Sequence, residues 1–302
     1  MTDLTIRVAL RALLGADSQT NDLALVVREE FVEILDWISY RFNNPLSPSI
    51  VAPTRRNKRV KASQRNLREA VSALIERRRE ADDGSVDVLS QLVRAQRNKT
   101  HNLTDQEILD ECVGFMFAGH ETTAATLTWA CYEIACRPEL QSVLAAEGSN
   151  LVNRSGTIID AVGAMEQTSA AIEETLRMYP SGISIVRSAK RTTEIAGHKI
   201  RRGTLVMVPV YAIQRSPIVW EDPDEFDPNR SNQGNGEGFL PFGLGPRRCL
   251  GARFARTELH VALGMILSRW ELSYEQTDPP KPIVAPSLRA DGELRLTLTK
   301  RP

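Results

Sequence analysis

The chain has 302 residues, 42% of them hydrophobic and 25% charged, with 38 basic and 38 acidic side chains. A chain this long buries roughly three quarters of its unfolded surface, so a full core is available, and the balanced charge excludes the basic footprint of a nucleic-acid binder. No apolar run reaches the ~18 residues of a membrane span, and the start MTDLTIRVALRALLGAD, with Asp3 and Arg7, lacks the basic head and apolar stretch of a secretory leader.

The first half predicts helices. Leu4–Gly15 and Val26–Phe42 carry apolar residues at helical spacing, and the first stops at a glycine. Residues 44–53, with three prolines, predict a loop. The basic cluster RRNKRVK at 55–61 is read as the solvated entry to a helix rather than a nucleic-acid patch, because the whole chain is neutral. Amphipathic Gln64–Arg79 precedes a turn at 82–85 and a short helix over Val86–Arg94. Thr104 and Glu107 then form a T-x-x-E capping box. No proline follows until Pro138, so the spacing predicts a helix of about 33 residues, roughly 50 Å long. Its middle is apolar on nearly every face, which places it through a core.

Another helix is predicted over Met165–Met178, ended by Tyr179-Pro180. Short β-rich runs follow at 183–186, 193–200 and 204–210, with a turn at Arg202-Gly203. Residues 220–238 are polar and rich in Pro, Gly, Asn and Asp, and predict loop. A helix over Ala252–Trp270 and an alternating strand at Leu294–Thr299 close the chain. There is no internal repeat and no clear linker. The expectation is a single domain over 1–302, mainly α with a small β-sheet.

The four cysteines are Cys112, Cys131, Cys136 and Cys249. None has C-x-x-C spacing. The first three sit in apolar, helix-like sequence and read as core thiols. The pattern suits a reducing compartment, so cytoplasm is expected. Cys249 differs. It stands in FGLGPRRCLG, between a glycine-rich loop and a predicted helix, directly after Arg247 and Arg248. Glycines allow close backbone approach. A helix N-terminus and two guanidiniums favour a thiolate over a thiol. A merely structural cysteine would need neither. A phosphate loop fails for want of a third glycine or a Gly-Lys-Ser/Thr, and a zinc site fails for want of nearby ligands. A single thiolate over a flat cofactor remains, and thiolate-ligated haem fits that description.

The segment reads F-x-x-G-x-R-x-C-x-G and resembles the haem-binding signature of the cytochromes P450. Three further stretches stand in that family's order: AGHETT (118–123), resembling its oxygen-activation motif; ETLR (174–177), resembling its E-x-x-R pair; and PDEFDPNR (223–230), resembling P-x-x-F-x-P-x-R. The resemblance covers essentially the whole chain. It implies the cytochrome P450 fold, haem b with Cys249 as the axial ligand to iron, and O2 as co-substrate. The implied reaction is a monooxygenation that inserts one oxygen atom into an apolar small molecule of terpenoid, fatty-acid or polyketide-like kind. Electrons would come from a separate ferredoxin or flavoprotein, since no flavin or iron–sulfur motif is visible. A thiolate ligand pushes electron density toward O–O cleavage.

Residue by residue, the resemblance implies that Arg247 and Arg187 meet the haem propionates and that Phe242 packs near the sulfur. Gly243 and Gly251 shape the loop, and Ala118 and Gly119 lie on the cofactor side of the long helix. Thr122 would hold a water near dioxygen and Glu121 would relay protons. From the residues alone, Thr122 and Thr123 could equally bond back to carbonyls four residues earlier, or the helix could open locally around Gly119. His120-Glu121 begins like H-E-x-x-H, but position 124 is alanine, so no zinc site follows. Glu174 and Arg177, at i,i+3, form either a solvated pair or, with Arg230, the buried triad that the resemblance implies. Gln214 stands where the resemblance leads us to expect histidine, with little consequence expected. His101, His198 and His260 have no ligand spacing. The opening segment resembles a helix from the middle of the family's fold, so an N-terminally incomplete domain is expected, and a catalytically inactive haem-binding remnant is the alternative function.

Overall fold

The computed structural model describes residues 1–15, 20–80, 84–99, 101–153, 157–230, 238–285 and 287–302. It divides into two compact units. Unit 1 holds Met1–Ala124 together with Val284 and Ala285; unit 2 holds Ala125–Ile283 and Ser287–Pro302.

Unit 1 is built from α1 (Thr2–Leu14), α2 (Thr20–Asn43), α3 (Arg55–Glu80), α4 (Val88–Arg97) and the first part of α5 (Asp105–Ala135). The apolar face of α1 turns Ile6, Leu10 and Leu14 into a core shared with Phe31, Val60, Leu67, Val71, Leu89, Ile108 and Met116. Gly15 ends α1 with φ +60°. A Cβ there would approach the Arg78 guanidinium and the Asp87 carboxylate within 2.5 Å. Only glycine suits both the left-handed backbone and that contact. Arg78 donates to the carbonyls of Leu14 and Gly15, and Asp87 accepts from the Ser90 N–H as the N-cap of α4. The end of one helix is thereby tied to the start of another. The basic cluster at 55–61 is the first two turns of α3, and Arg55, Arg56, Lys58, Arg59 and Lys61 are exposed there.

Unit 2 holds the rest of α5, then α6 (Pro138–Asn153), α7 (Ile158–Gly163), α8 (Glu166–Met178), α9 (Val210–Ile213) and α10 (Ala252–Leu267). It also holds β1 (Ile185–Ser188), β2 (Thr193–Ile195), β3 (His198–Ile200), β4 (Leu205–Val208), β5 (Trp270–Ser273), β7 (Ser287–Ala290) and β8 (Thr297–Lys300); the division between units passes through β6 (Pro282–Ala285). The strands form small antiparallel pairs: β1 with β4 (Arg187 opposite Val206), β2 with β3, and β5 with β8. Helices α6 and α10 cross at two glycines. A Cβ on Gly148 would stand 2.4 Å from the Gly264 carbonyl oxygen, so the backbones touch directly. Inside the unit Trp129 is fully buried, stacks on Tyr179 with centroids 4.1 Å apart, and donates its indole N–H to the Leu288 carbonyl.

The mainly α architecture with small sheets agrees with the sequence reading; several boundaries do not. The long helix ends at Ala135, and Pro138 opens a new helix, α6, that periodicity did not mark. Proline at the first helical position loses no hydrogen bond, so it starts a helix as readily as it stops one. The 193–200 run is a hairpin, turned by Ala196 and Gly197 at positive φ. The final helix stops at Leu267, and Trp270 belongs to β5. The last strand lies at Thr297–Lys300, starting three residues later than expected. Parts of the expected 82–85 turn and 220–238 loop lie outside the described residues.

Candidate haem-thiolate site

Cys249 sits two residues before Gly251, which is the N-cap of α10. The chain reaches it through two left-handed glycines, Gly243 (φ +69°) and Gly245 (φ +71°), and a short 3-10 turn, Gly245–Arg247. The Cys249 N–H donates to the Phe242 carbonyl at 2.8 Å, and the Gly243 N–H donates to the Leu240 carbonyl at 3.0 Å. These bonds fold the segment into a closed loop with the thiol exposed. Gly251 lies under the sulfur: a Cβ there would stand 4.0 Å from Sγ. A Cβ on Gly243 would touch Ile185 Cδ1 at 3.5 Å, which sets the loop against β1, the strand carrying Arg187.

Phe242 is half-buried, and its ring lies 4.5 Å beneath the Arg256 guanidinium. Arg256 is held in turn by both oxygens of Glu173, at 2.7 and 2.9 Å. A cation over the ring and a bidentate carboxylate fix the aromatic's place next to the loop. Sequence reasoning did not single out Arg256 or Glu173. The only signal was their position, Glu173 beside Glu174 on α8 and Arg256 one turn into α10.

Cys112 and Cys131 are buried, and loss of hydration pushes each up to about 12. Cys136, read from the sequence as a core thiol, is instead exposed; its thiol is still raised, by partial burial and then by Glu133. Those three are held as thiols, which bind iron poorly.

Does the loop suit the group its motif implies? Haem b presents an iron that takes a soft anionic ligand, a flat apolar macrocycle and two carboxylates. Here the sulfur is exposed, with Gly251 beside it. Leu250 and Leu244 on the same loop are 86% and 68% exposed and offer apolar surface beside the sulfur's loop. Arg247 and Arg187 offer exposed guanidiniums for carboxylates. The residues fit.

In unit 1, α5 is helical without interruption across 118–123, so of the two readings of this stretch the local opening at Gly119 is not seen. The Thr122 hydroxyl donates to the Ala118 carbonyl four residues back at 2.8 Å, closing the backbone bond directly. With its proton committed, that oxygen meets any other group as an acceptor. Ala118 and Thr122 are exposed, and Glu121 and Gly119 are half-buried. A Cβ on Gly119 would rest 3.7 Å from Leu13 of α1. His120 points into the core: Nδ1 donates to the Met116 carbonyl at 2.7 Å, burial lowers its basicity, and Nε2 has no partner. Among the described residues no three His, Cys, Asp or Glu side chains group as a metal site.

The remaining motifs meet in unit 2. Glu174 is fully buried; it accepts from Arg177 Nε and Nη2 at 2.8 Å, from Arg230 Nε at 2.9 Å and from the Asp227 N–H at 3.0 Å. Arg177, 1% exposed, also donates to the carbonyls of Gln214, Pro223 and Glu225. Arg230 also donates to the carbonyls of Glu221, Asp222 and Glu225. One carboxylate on α8 therefore organises the whole 221–230 segment. Gln214, from which little was expected, is fully buried and makes three side-chain hydrogen bonds.

Comparison with known proteins gives one answer throughout. The family model described as Cytochrome P450 matches residues 1–296. A cyclooctat-9-en-7-ol 5-monooxygenase of Streptomyces melanosporofaciens is 32% identical over 90% of this chain and 60% of its own length. The pentalenene oxygenase of Streptomyces avermitilis is 30% identical over 99% and 67%. Cytochrome P450 3A29 of Sus scrofa is 33% identical over 68% and 46%. The chain thus spans about half to two thirds of these relatives. A crystal structure of the cytochrome P450DA heme domain superposes with a TM-score of 0.85 at 25% identity, covering 100% of this chain and 67% of that one. The chain belongs to the cytochrome P450 family.

Proposed function

We propose that residues 1–302 form a haem-thiolate monooxygenase domain that inserts one oxygen atom of O2 into an apolar small molecule. The observation that carries this reading is the Cys249 loop: an exposed thiol at the N-terminus of α10, beside a glycine and flanked by exposed leucines and arginines. Cys249, two residues before the N-cap of the 16-residue helix, would ligate the iron. Arg247 and Arg187 would bind the propionates as charge-assisted donors. Bound haem supplies the activation of dioxygen, and the protein positions and shields it.

The protein's own part in the chemistry is proton supply and exclusion of water. Thr122, its proton held by Ala118, accepts a hydrogen bond from a water and fixes that water's orientation. Glu121, half-buried one residue earlier, exchanges protons between solvent and that water. Phe242, clamped under Arg256, keeps water from one flank of the sulfur. Glu174, Arg177 and Arg230 hold the segment that leads into the loop. Residues 181–186 would line part of the substrate pocket.

The relatives named for cyclooctat-9-en-7-ol and pentalenene support a hydrocarbon-rich substrate, of terpenoid, fatty-acid or polyketide-like kind. Electrons would arrive from a separate ferredoxin or flavoprotein. Four free cysteines suit the cytoplasm, and no described helix is long and apolar enough to cross a membrane. The test supplies haem-loaded protein with an apolar substrate, a reductase system and isotopically labelled dioxygen. One labelled oxygen atom in the product supports the reading. Haem binding with no labelled product for any such substrate would instead favour a non-catalytic haem-binding remnant.

A further inference from the structure

We infer that Gln214 is a positioning residue for the Cys249 loop, a three-bond clamp that fixes where the sulfur stands relative to the end of α8. Gln214 follows α9 and is completely buried. Its Nε2 donates to the carbonyls of Leu176 and Arg177, both at 2.9 Å, and its Oε1 accepts from the Leu240 N–H at 2.7 Å. Two carbonyls and one N–H are what a primary amide satisfies in full. A neutral imidazole has one donor and one acceptor and leaves one of the three unmet; a carboxylate would face two carbonyls with no proton to give. The three partners lie far apart in sequence. Leu176 and Arg177 are in the last turn of α8, where carbonyls lack helical partners. Leu240 begins the turn whose carbonyl holds the Gly243 N–H, and Phe242 in that turn holds the Cys249 N–H.

A second contact supports the same path. Gly238, at φ +93°, passes so close that a Cβ would stand 2.8 Å from Val219 Cγ1 and 3.3 Å from Ile213 Cγ2, so the chain re-enters tightly against the residue before Gln214. Arg177 closes the circuit by donating to the Gln214 carbonyl at 2.9 Å. The ion cluster around Glu174 and the thiol loop are thus joined through one amide.

The consequence for ligation rests on the reading of Cys249 as the thiolate ligand; the clamp itself does not. Two variants are compared with wild type: Gln214→Leu, which removes all three bonds, and Gln214→Asn, which keeps the amide but shortens its reach. Leu144→Ala, a buried cavity variant on α6, controls for lost stability. Amide hydrogen exchange is read at Leu240, Gly243 and Cys249, and the carbon-monoxide-bound Soret band is read after reduction of haem-loaded protein. The clamp predicts that both Gln214 variants exchange at least tenfold faster at those amides than Leu144→Ala at matched stability, with Asn the milder. It also predicts a lower fraction of strongly red-shifted band. Exchange equal to the control overturns the clamp, and faster exchange with an unchanged band overturns the positioning role. A wild-type protein without that band would refute the thiolate reading instead, and exchange would still decide whether Gln214 holds the loop.

Discussion

Removing the Glu174 carboxylate, as in Glu174→Ala, is expected to destabilise unit 2 by about 3–5 kcal/mol. Glu174 accepts four hydrogen bonds, three of them from guanidiniums. Adding four charge-assisted bonds at about 1.5–3 kcal/mol each would overshoot, because such terms do not sum and the desolvated reference is shared. The better measure is what truncation leaves behind. Arg177 is 1% exposed and would keep its charge with no anion. It retains the carbonyls of Gln214, Pro223 and Glu225, which caps the loss below full abandonment of a buried ion. Urea unfolding followed by tryptophan fluorescence reports the change, since Trp129, Trp220 and Trp270 all lie in unit 2. Glu293→Ala, which breaks the fully exposed pair with Arg295, is the control and should leave the midpoint unmoved. A loss below about 1 kcal/mol for Glu174→Ala would place the cluster with solvated surface pairs and refute the reasoning.

Glu258 is buried with neither oxygen partnered, and desolvation pushes its carboxyl up to about 7 from an ordinary 4.5. The folded state therefore holds this proton after the unfolded state has lost it. Stability falls as pH rises between those values and stays lowered above them, by about 3 kcal/mol as an order of magnitude. Glu258→Gln should raise the unfolding midpoint near roughly pH 8 and change it little near roughly pH 4; equal effects at both would contradict the burial argument. Gly148→Ala should destabilise unit 2 by ~1–3 kcal/mol, because its Cβ meets the Gly264 backbone, which cannot rotate away as a side chain could. Calorimetry giving an unchanged melting temperature would show that the helices separate freely.

The motifs that carry the family resemblance were legible because their signals are local. Cys249 advertises itself through glycines and arginines within ten residues, and α5 through an uninterrupted run with a capping box whose Thr104 and Glu107 bond each other. What stayed hidden depends on partners distant in sequence. Helix α6 has a weakly contrasted apolar face because its contact with α10 is glycine on glycine, and Gly148 and Gly264 carry no hydrophobic periodicity. Gln214 looked like a harmless exchange because a polar residue's burial follows from three segments converging on it, 37 and 26 residues away. Thr122 illustrates an ambiguity that local sequence left open: the back-bond to Ala118 was one of two readings, and the unbroken helix selects it.

The central claim is that Cys249, among four free cysteines, is the one that holds iron. The direct measurement is the absorption spectrum of haem-loaded, reduced, carbon-monoxide-bound protein for wild type and Cys249→Ser. The wild type should give the strongly red-shifted Soret band of a thiolate opposite carbon monoxide, and the serine variant should lose it even where it still retains haem. A red-shifted band of undiminished intensity in Cys249→Ser would contradict the assignment.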